Sequence, residues 1–409
     1  MQQEKTPNRA ATPGGDGRVG LLDSLRGFAI LGILLINVQS FGLLSSAFLN
    51  PKALGEPPVA DYSVWLITHL LVDEKFITIL TLLFGAGIVL MAERSKLEAQ
   101  EFERVFRRRM LWLLGIGLAH GLLLWRGDIL TSYAICAMAA VHFRDRTPWQ
   151  LLKIALVLLL VPTVIAVLMT IGLHFLPPER LQEIANAHWL PSREVIRSEV
   201  ALYTGPWLST MGARALDGLT IQGWMLITER FWRVLALMLI GMALLRIDFL
   251  RGQWEPQQYR RIGLRALAIG LPLVALGVLL NEVFGWDLRY SLYLGDIANY
   301  WASALVAIGW IALLALLFQF NLLGRISLWL TAVGRLALSN YLLQTLICAS
   351  LFYGFGLGLY GELDRPMLLL VVLGIWITQI LLSIWYLKHF KVGPFEWAWR
   401  RASARPLFA

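Results

Sequence analysis

The chain has 409 residues, of which 57% are hydrophobic and 15% charged, with a mean hydropathy of +0.63. That composition excludes an ordinary soluble protein, because the apolar runs override the two or three soluble domains that length alone suggests. The net charge of +9 follows the alternation of loops described below, so it argues for membrane topology and not for a nucleic-acid partner.

Residues 1–20 are polar, bear Gly and Pro and lack the apolar core of a cleaved signal, and they read as a disordered cytoplasmic tail. A spanning helix needs about 20 mostly apolar residues. By that standard an N-terminal transmembrane bundle at 21–175 holds five candidates, at 28–49, 70–91, 110–126, 128–143 and 151–175. The stretch 176–223 follows, with Pro177-Pro178, an amphipathic piece from Glu179 to Val200 and Pro206-Trp207. It is expected on the outer face as a loop or interfacial helix. A C-terminal bundle at 224–390 adds candidates at 224–245, 262–284, 297–318, 328–353 and 367–387, and residues 391–409 form a second cytoplasmic tail. The tail's Trp397, Trp399, Arg400 and Arg401 suit a membrane interface.

Loops alternate between basic-rich and basic-poor, and 24 of the 36 Lys and Arg fall on one side. The positive-inside rule then places both termini in the cytoplasm. The expected fold class is all-α: a polytopic integral membrane helix bundle of about ten transmembrane helices, in a bacterial cytoplasmic membrane and in contact with its lipids. Cys136 and Cys348 fall in candidate spans without zinc or disulfide spacing, and no metal is expected. Glycines cluster at Gly85-Ala86-Gly87, Gly117-x3-Gly121 and Gly354-x-Gly356-x-Gly358, which suits close helix packing.

Ionisable residues beside a lipid-embedded helix are costly unless paired or hydrated, so they are candidates for function. His69, Asp73, Glu74 and Lys75 stand at the head of one apolar run, with His69 and Asp73 on one helical face. Span arithmetic puts Lys75 about 5 Å inside the outer boundary, at the rim of an outward-facing site or as a snorkelling anchor. His120 lies about two turns below that surface, with Arg126 and Asp128 above it. A histidine so placed under a carboxylate is suited to general-base chemistry or to a structural hydrogen bond. Asn37 in the first span most simply bonds between helices. Arg335, Ser339, Asn340 and Gln344 form i,i+4 pairs in the ninth span, where Arg335 needs a carboxylate such as Asp23 or Glu396, carbonyls or an anionic ligand.

These pieces, Leu22-Asp23-Ser24-Leu25-Arg26-Gly27 with Asn37, Glu74-Lys75-Phe76, Arg108-Arg109, His120, Gly127-Asp128, Gly334-Arg335, Ser339-Asn340-Tyr341 with Gln344, and Gly393-Pro394-Phe395-Glu396-Trp397, together resemble the YeiB-like family of bacterial integral membrane proteins. Its opening stretch is similar to that of transmembrane acyltransferases, including heparan-α-glucosaminide N-acetyltransferase and bacterial O-acyltransferases of surface sugars. The resemblance implies acyl transfer from cytoplasmic acyl-CoA to a cell-envelope sugar or lipid at the outer face. Those enzymes carry a histidine at or soon after the end of their first span. Residues 37–60 have none here, so the base falls to His120 with Asp128, or to His69 with Asp73. In that reading Glu74, Lys75 and Arg126 position the acceptor, while Arg108 and Arg109 meet CoA phosphates. A transporter or flippase of a small polar or lipid-linked solute is the other reading. The oligomeric state is left open.

Overall fold

The computed structural model describes residues 16–404, and every regular element among them is a helix. The expected N-terminal tail lies outside the described residues as far as residue 15. From Asp16 the chain is already helical.

The first half of the bundle runs α1 (Asp16–Gly42), α2 (Ser45–Leu49), α3 (Val59–Leu71), α4 (Lys75–Arg94), α5 (Ala99–Leu123), α6 (Leu130–Ala140) and α7 (Pro148–His174). Helix α7 starts where the Thr147 side chain accepts from the Gln150 amide and the Gln150 side chain accepts from Thr147, a capping box with Pro148 at the first helical position. The middle segment folds as α8 (Pro178–Ile184), α9 (Arg193–Thr204) and α10 (Trp207–Met225), and α10 runs through a π-helical stretch at Leu226–Arg230 into α11 (Phe231–Arg246). The second half adds α12 (Pro256–Val283), α13 (Leu288–Ser291), α14 (Ile297–Gln319), α15 (Arg325–Arg335), α16 (Ala337–Phe352), α17 (Arg365–His389) and α18 (Pro394–Ala404).

Six stretches are long and apolar enough to cross a membrane: Gly20–Gly42, Val59–Arg94, Pro148–His174, Pro256–Val283, Ile297–Gln319 and Arg365–His389. Helices α15 and α16, bent by 83° about Leu336, make a seventh if taken as one broken span. Three of the ten expected spans therefore fall short. In α5 the first turns are spent on charged residues, α6 has 11 residues, and α11 has 16. Protein surrounds α6 and α11 instead of lipid, and α11 is buried from Val234 to Leu239 between α4 and α7. Apolar residues face outward on α7, α12 and α17, with Val157, Leu264 and Leu370 each 63–69% exposed. This is the surface that lipid would cover.

Two helix crossings are made by reciprocal glycines. A Cβ on Gly85 would lie 2.0 Å from the Met238 carbonyl oxygen, and one on Gly241 would lie 2.0 Å from that of Leu82, so α4 and α11 touch backbone to backbone. On α1 and α15, Gly27 and Gly334 stand in the same relation to Leu330 and Asp23, at 1.9 and 1.8 Å. Close approach of this kind substitutes dispersion for the hydrophobic drive that lipid removes.

The expected C-terminal tail is helical over 394–404, and residues 405–409 lie outside the described range. Helix α18 packs back on α5 and α16. Its Glu396 carboxylate accepts from the backbone N–H of Leu338 at 2.8 Å and of Ser339 at 3.1 Å, and from the Ser339 hydroxyl at 2.5 Å. It thereby caps the amides that the break at Leu336 leaves free.

Candidate functional site

The 69–75 cluster sits at a helix junction, not at the head of a continuous span. Helix α3 ends at Leu71, Glu74 takes a left-handed φ of 64°, and α4 starts at Lys75. The break turns the His69 and Asp73 side chains toward each other: Nδ1 of His69 lies 3.1 Å from Oδ2 of Asp73. The Trp65 ring stacks on the imidazole at 5.2 Å between centroids and fixes its plane. On the far side of the ring, Nε2 is 3.9 Å from Asp296, and the His69 side chain keeps 15% of its exposure. Asp73 also accepts from Asn299 at 3.1 Å.

Lys75 corrects the expectation of a rim or anchor, because it is fully buried. Its ammonium donates to the His69 carbonyl and to Asn299 Oδ1, each at 2.5 Å. A buried cation needs acceptors around it, and here those acceptors belong to the junction. Lys75 thus holds α3, α4 and α14 together and presents no charge to a substrate. Glu74 points the other way and pairs with Arg233 at 3.0 Å. Arg233 also reaches Ser303 at 2.8 Å and lies over the Tyr300 ring. Glu74, Glu229, Arg230, Arg233, Ser132 and Tyr133 line a cavity of about 80 Å³ between α4, α6 and α11. His69, Asp73 and Asp296 offer ligand atoms within 4.8 Å of one another, a spacing that reaches across the helix junction.

His120 and Asp128 do meet, at 2.8 Å from Nδ1 to Oδ1, but the pair is sealed. The second nitrogen of His120 faces the Thr345 hydroxyl at 2.9 Å, the other oxygen of Asp128 accepts from the Thr131 amide at 2.8 Å, and the two side chains are 2% and 0% exposed. Every polar atom of the dyad has a protein partner, so it joins α5, α6 and α16 as a structural knot. We expect His120→Ala to destabilise the fold by about 3 kcal/mol, through a cavity and a buried carboxylate stripped of one partner. Thermal unfolding of the purified protein checks this.

The remaining expected residues scatter. Arg126 ion-pairs with Asp217 on α10 at 2.9 Å and also donates to the Ser45 hydroxyl. Arg335 is exposed and donates to the Lys391 carbonyl at 3.2 Å, while Asp23 is taken by Arg26 at 2.6 Å and Glu396 by the α16 cap. Of the partners expected for Arg335, it takes a carbonyl, and it forms no ion pair with Asp23 or Glu396 among the described residues. Asn340 and Gln344 join Gln379 of α17 in a buried amide network, in which Gln344 donates to Gln379 at 3.0 Å and Gln379 donates back to the Asn340 side chain at 3.1 Å. Asn37 is half-buried and makes no side-chain hydrogen bond among the described residues. Arg108 donates to the Ser403 carbonyl at 2.5 Å, and Arg109 stacks on Trp399, so both are engaged by α18.

Several polar partners carried no signal in the sequence. Asn299, Asp296, Ser303 and Thr345 are single polar residues in apolar or loop stretches far along the chain. Asp61 and Arg365 form a buried pair at 2.5 Å, with Gln39 accepting from Arg365 at 3.2 Å. Their separation of 304 residues hides them from any local pattern. On the same polar end, Glu282 accepts from Lys52 at 2.9 Å, and that hydrogen bond raises the lysine pKa above its ordinary value.

Residues 244–406 match a family described as a protein of unknown function, DUF418. The chain is 34% identical over 390 residues to the uncharacterized protein YeiB of Escherichia coli (strain K12), covering 94% of this chain and 96% of that protein. It is 26% identical over 397 residues to the uncharacterized protein YxaH of Bacillus subtilis (strain 168), covering 94% of each. To an uncharacterized 39.9 kDa protein of Bacillus acidopullulyticus it is 28% identical over 392 residues, covering 94% of this chain and 93% of that one. No solved structure matches the chain. With helices long and apolar enough to span a bilayer and a relative of that identity aligned end to end, the chain is a membrane protein of the YeiB-like family.

Proposed function

We propose that the protein is a membrane-embedded acyltransferase with His69 as its general base. The observation that carries the reading is the His69–Asp73 pair at 3.1 Å, whose imidazole side chain keeps 15% of its exposure and has no hydrogen-bond partner on Nε2 among the described residues, the nearest carboxylate being Asp296 at 3.9 Å. The carboxylate holds the proton on Nδ1, and the Nε2 lone pair is then free to accept one. His120 lacks such a face.

In this reading an acceptor hydroxyl or amine gives its proton to Nε2 as its oxygen or nitrogen attacks the thioester carbonyl of acyl-CoA. The C–S bond then breaks, and the leaving sulfur takes the proton back from His69 and departs as the CoA thiol, which restores the neutral imidazole. Asp73 stabilises the imidazolium between the two steps. Asn299, held by Lys75, keeps Asp73 in place. The acceptor class, a cell-envelope sugar or lipid, comes from the resemblance of the opening Leu-Asp-x-x-Arg-Gly stretch to transmembrane acyltransferases.

The test is transfer of a labelled acetyl group from acetyl-CoA to envelope glycolipids by the full chain in proteoliposomes. His69→Ala is expected to slow transfer about 10²–10⁴-fold, the usual worth of a positioned base. Asp73→Asn should slow it less, because the base survives but loses its orientation. Equal transfer by wild type and His69→Ala overturns the mechanism. The cavity beside Glu74, Glu229 and Arg233 favours a second reading, movement of a small polar solute. Its signature is uptake of unlabelled solute with no covalent product in the same vesicles.

A further inference from the structure

A recess at the end of α5 collects hydrogen-bond donors that have no partner among the described residues. It is lined by Trp125, Arg126, Tyr203, Arg214 and Tyr353 with the end of α5 at 121–124, and its volume is about 10 Å³. Nε and Nη2 of Arg214 and Nε1 of Trp125 are buried and without an acceptor among the described residues. Neither tyrosine hydroxyl makes a hydrogen bond among those residues. Buried donors without partners are rare and costly, and a cluster of them in one recess marks a missing acceptor.

The nearby carboxylates are committed elsewhere. Asp217, one turn along α10 from Arg214, pairs with Arg126 at 2.9 Å. Glu199 accepts from the Ser45 amide at 2.9 Å, from the Ser45 hydroxyl and from Tyr360 at 2.6 Å. Arg214 has no ion-pair partner among the described residues. Its guanidinium lies over the Tyr353 ring at 5.3 Å from the centroid, as Arg126 lies over Tyr203 at 5.5 Å. Stacking holds the cation in place without neutralising it.

We infer that this recess is an oxyanion site for a phosphate group, with Arg214 and Trp125 as its donors. A water molecule satisfies donors but leaves the arginine charge unbalanced, whereas a phosphate does both, and the guanidinium fork matches its geometry. The volume is that of a single water-sized probe, so one phosphoryl oxygen enters and the rest of the group stays outside. Exposed Leu208, Leu216 and Leu219 on α10, each 51–79% exposed, give an apolar surface on the helix that carries Arg214. A phospholipid headgroup and a free phosphate share this chemistry. Its two donors, Arg214 and Trp125, have no role in the proposed acyl transfer, so it stands or falls separately.

The test is thermal unfolding and native mass spectrometry of the full chain in neutral detergent at constant chloride. The probes are dioctanoyl phosphatidic acid, inorganic phosphate and, as the phosphate-free control, dioctanoylglycerol. Phosphatidic acid is expected to raise the unfolding temperature and remain bound, with affinity at least tenfold weaker in Arg214→Gln and intermediate in Arg214→Lys. Inorganic phosphate binding as tightly as the lipid assigns the site to a soluble oxyanion, and binding of the lipid alone assigns it to a headgroup. Trp125→Phe keeps the stacking on Phe41, at 4.4 Å in the wild type, and deletes one donor. It should weaken binding several-fold, and it carries the test if Arg214→Gln does not fold. Binding of neither phosphate probe above the diacylglycerol control overturns the inference, as does binding unchanged in both donor variants.

Discussion

Asp61→Asn is expected to destabilise the protein by about 3–5 kcal/mol, the cost of leaving one member of a buried ion pair without its counter-charge. Asp61 and Arg365 are 8% and 4% exposed. The carboxylate takes both the Arg365 side chain at 2.5 Å and its backbone N–H at 2.9 Å. Asparagine keeps the shape but offers one acceptor where two are used, and it turns an N–H₂ toward a donor. The remaining guanidinium bonds, to the Ala47 carbonyl at 2.7 Å and to Gln39 at 3.2 Å, supply dipoles and no charge. Thermal unfolding in detergent reads the loss. Asp61→Leu with Arg365→Met should recover much of it, since removing both charges removes the desolvation cost as well. An unchanged midpoint for the single variant would mean that the pair is already solvated.

Gly334→Ala should be nearly as damaging. Its Cβ would stand 1.8 Å from the Asp23 carbonyl oxygen, so α1 and α15 must separate along a crossing that Gly27 makes tight from the other side. Overpacking of this kind costs about 3 kcal/mol at the upper end of its usual range, and the folded fraction recovered from membranes by size exclusion should fall accordingly. Gly87→Ala is the internal control. Its Cβ would meet nothing within 4 Å, and on a helix alanine is favoured over glycine by about 1 kcal/mol. Equal losses for the two variants would show that the effect is not one of helix contact.

The contrast between those glycines shows what a sequence can carry. Gly85-Ala86-Gly87 reads as a packing motif, and Gly85 does touch the backbone of α11, but nothing local says that Gly87 does not. Hydropathy likewise locates the long lipid-facing helices α7, α12 and α17, whose exposed leucines are the reason they read so clearly. It overcounts at α6 and α11, which are apolar because protein encloses them, and a short enclosed helix has the same composition as a membrane span. His69 with Asp73 and His120 with Asp128 are both legible as local pairs. Their difference in access is not, because Thr345 and Asn299, the residues that seal one pair and support the other, arrive from more than 200 residues away. Span arithmetic failed at Lys75 for a related reason. It assumes a continuous helix, and the left-handed Glu74 ends one helix and begins another.

The cap at the α15–α16 break has a consequence for how the chain is assembled. The amides of Leu338 and Ser339 wait for a carboxylate that lies 58 and 57 residues further on, beyond the whole of α17. In a chain made from its N-terminus the bend is therefore complete before Glu396 is added, and its free N–H groups are answered only when α18 packs against it. Formation of the α15–α16 corner and completion of its cap are thus separated along the chain, with Glu396 of α18 as the latch.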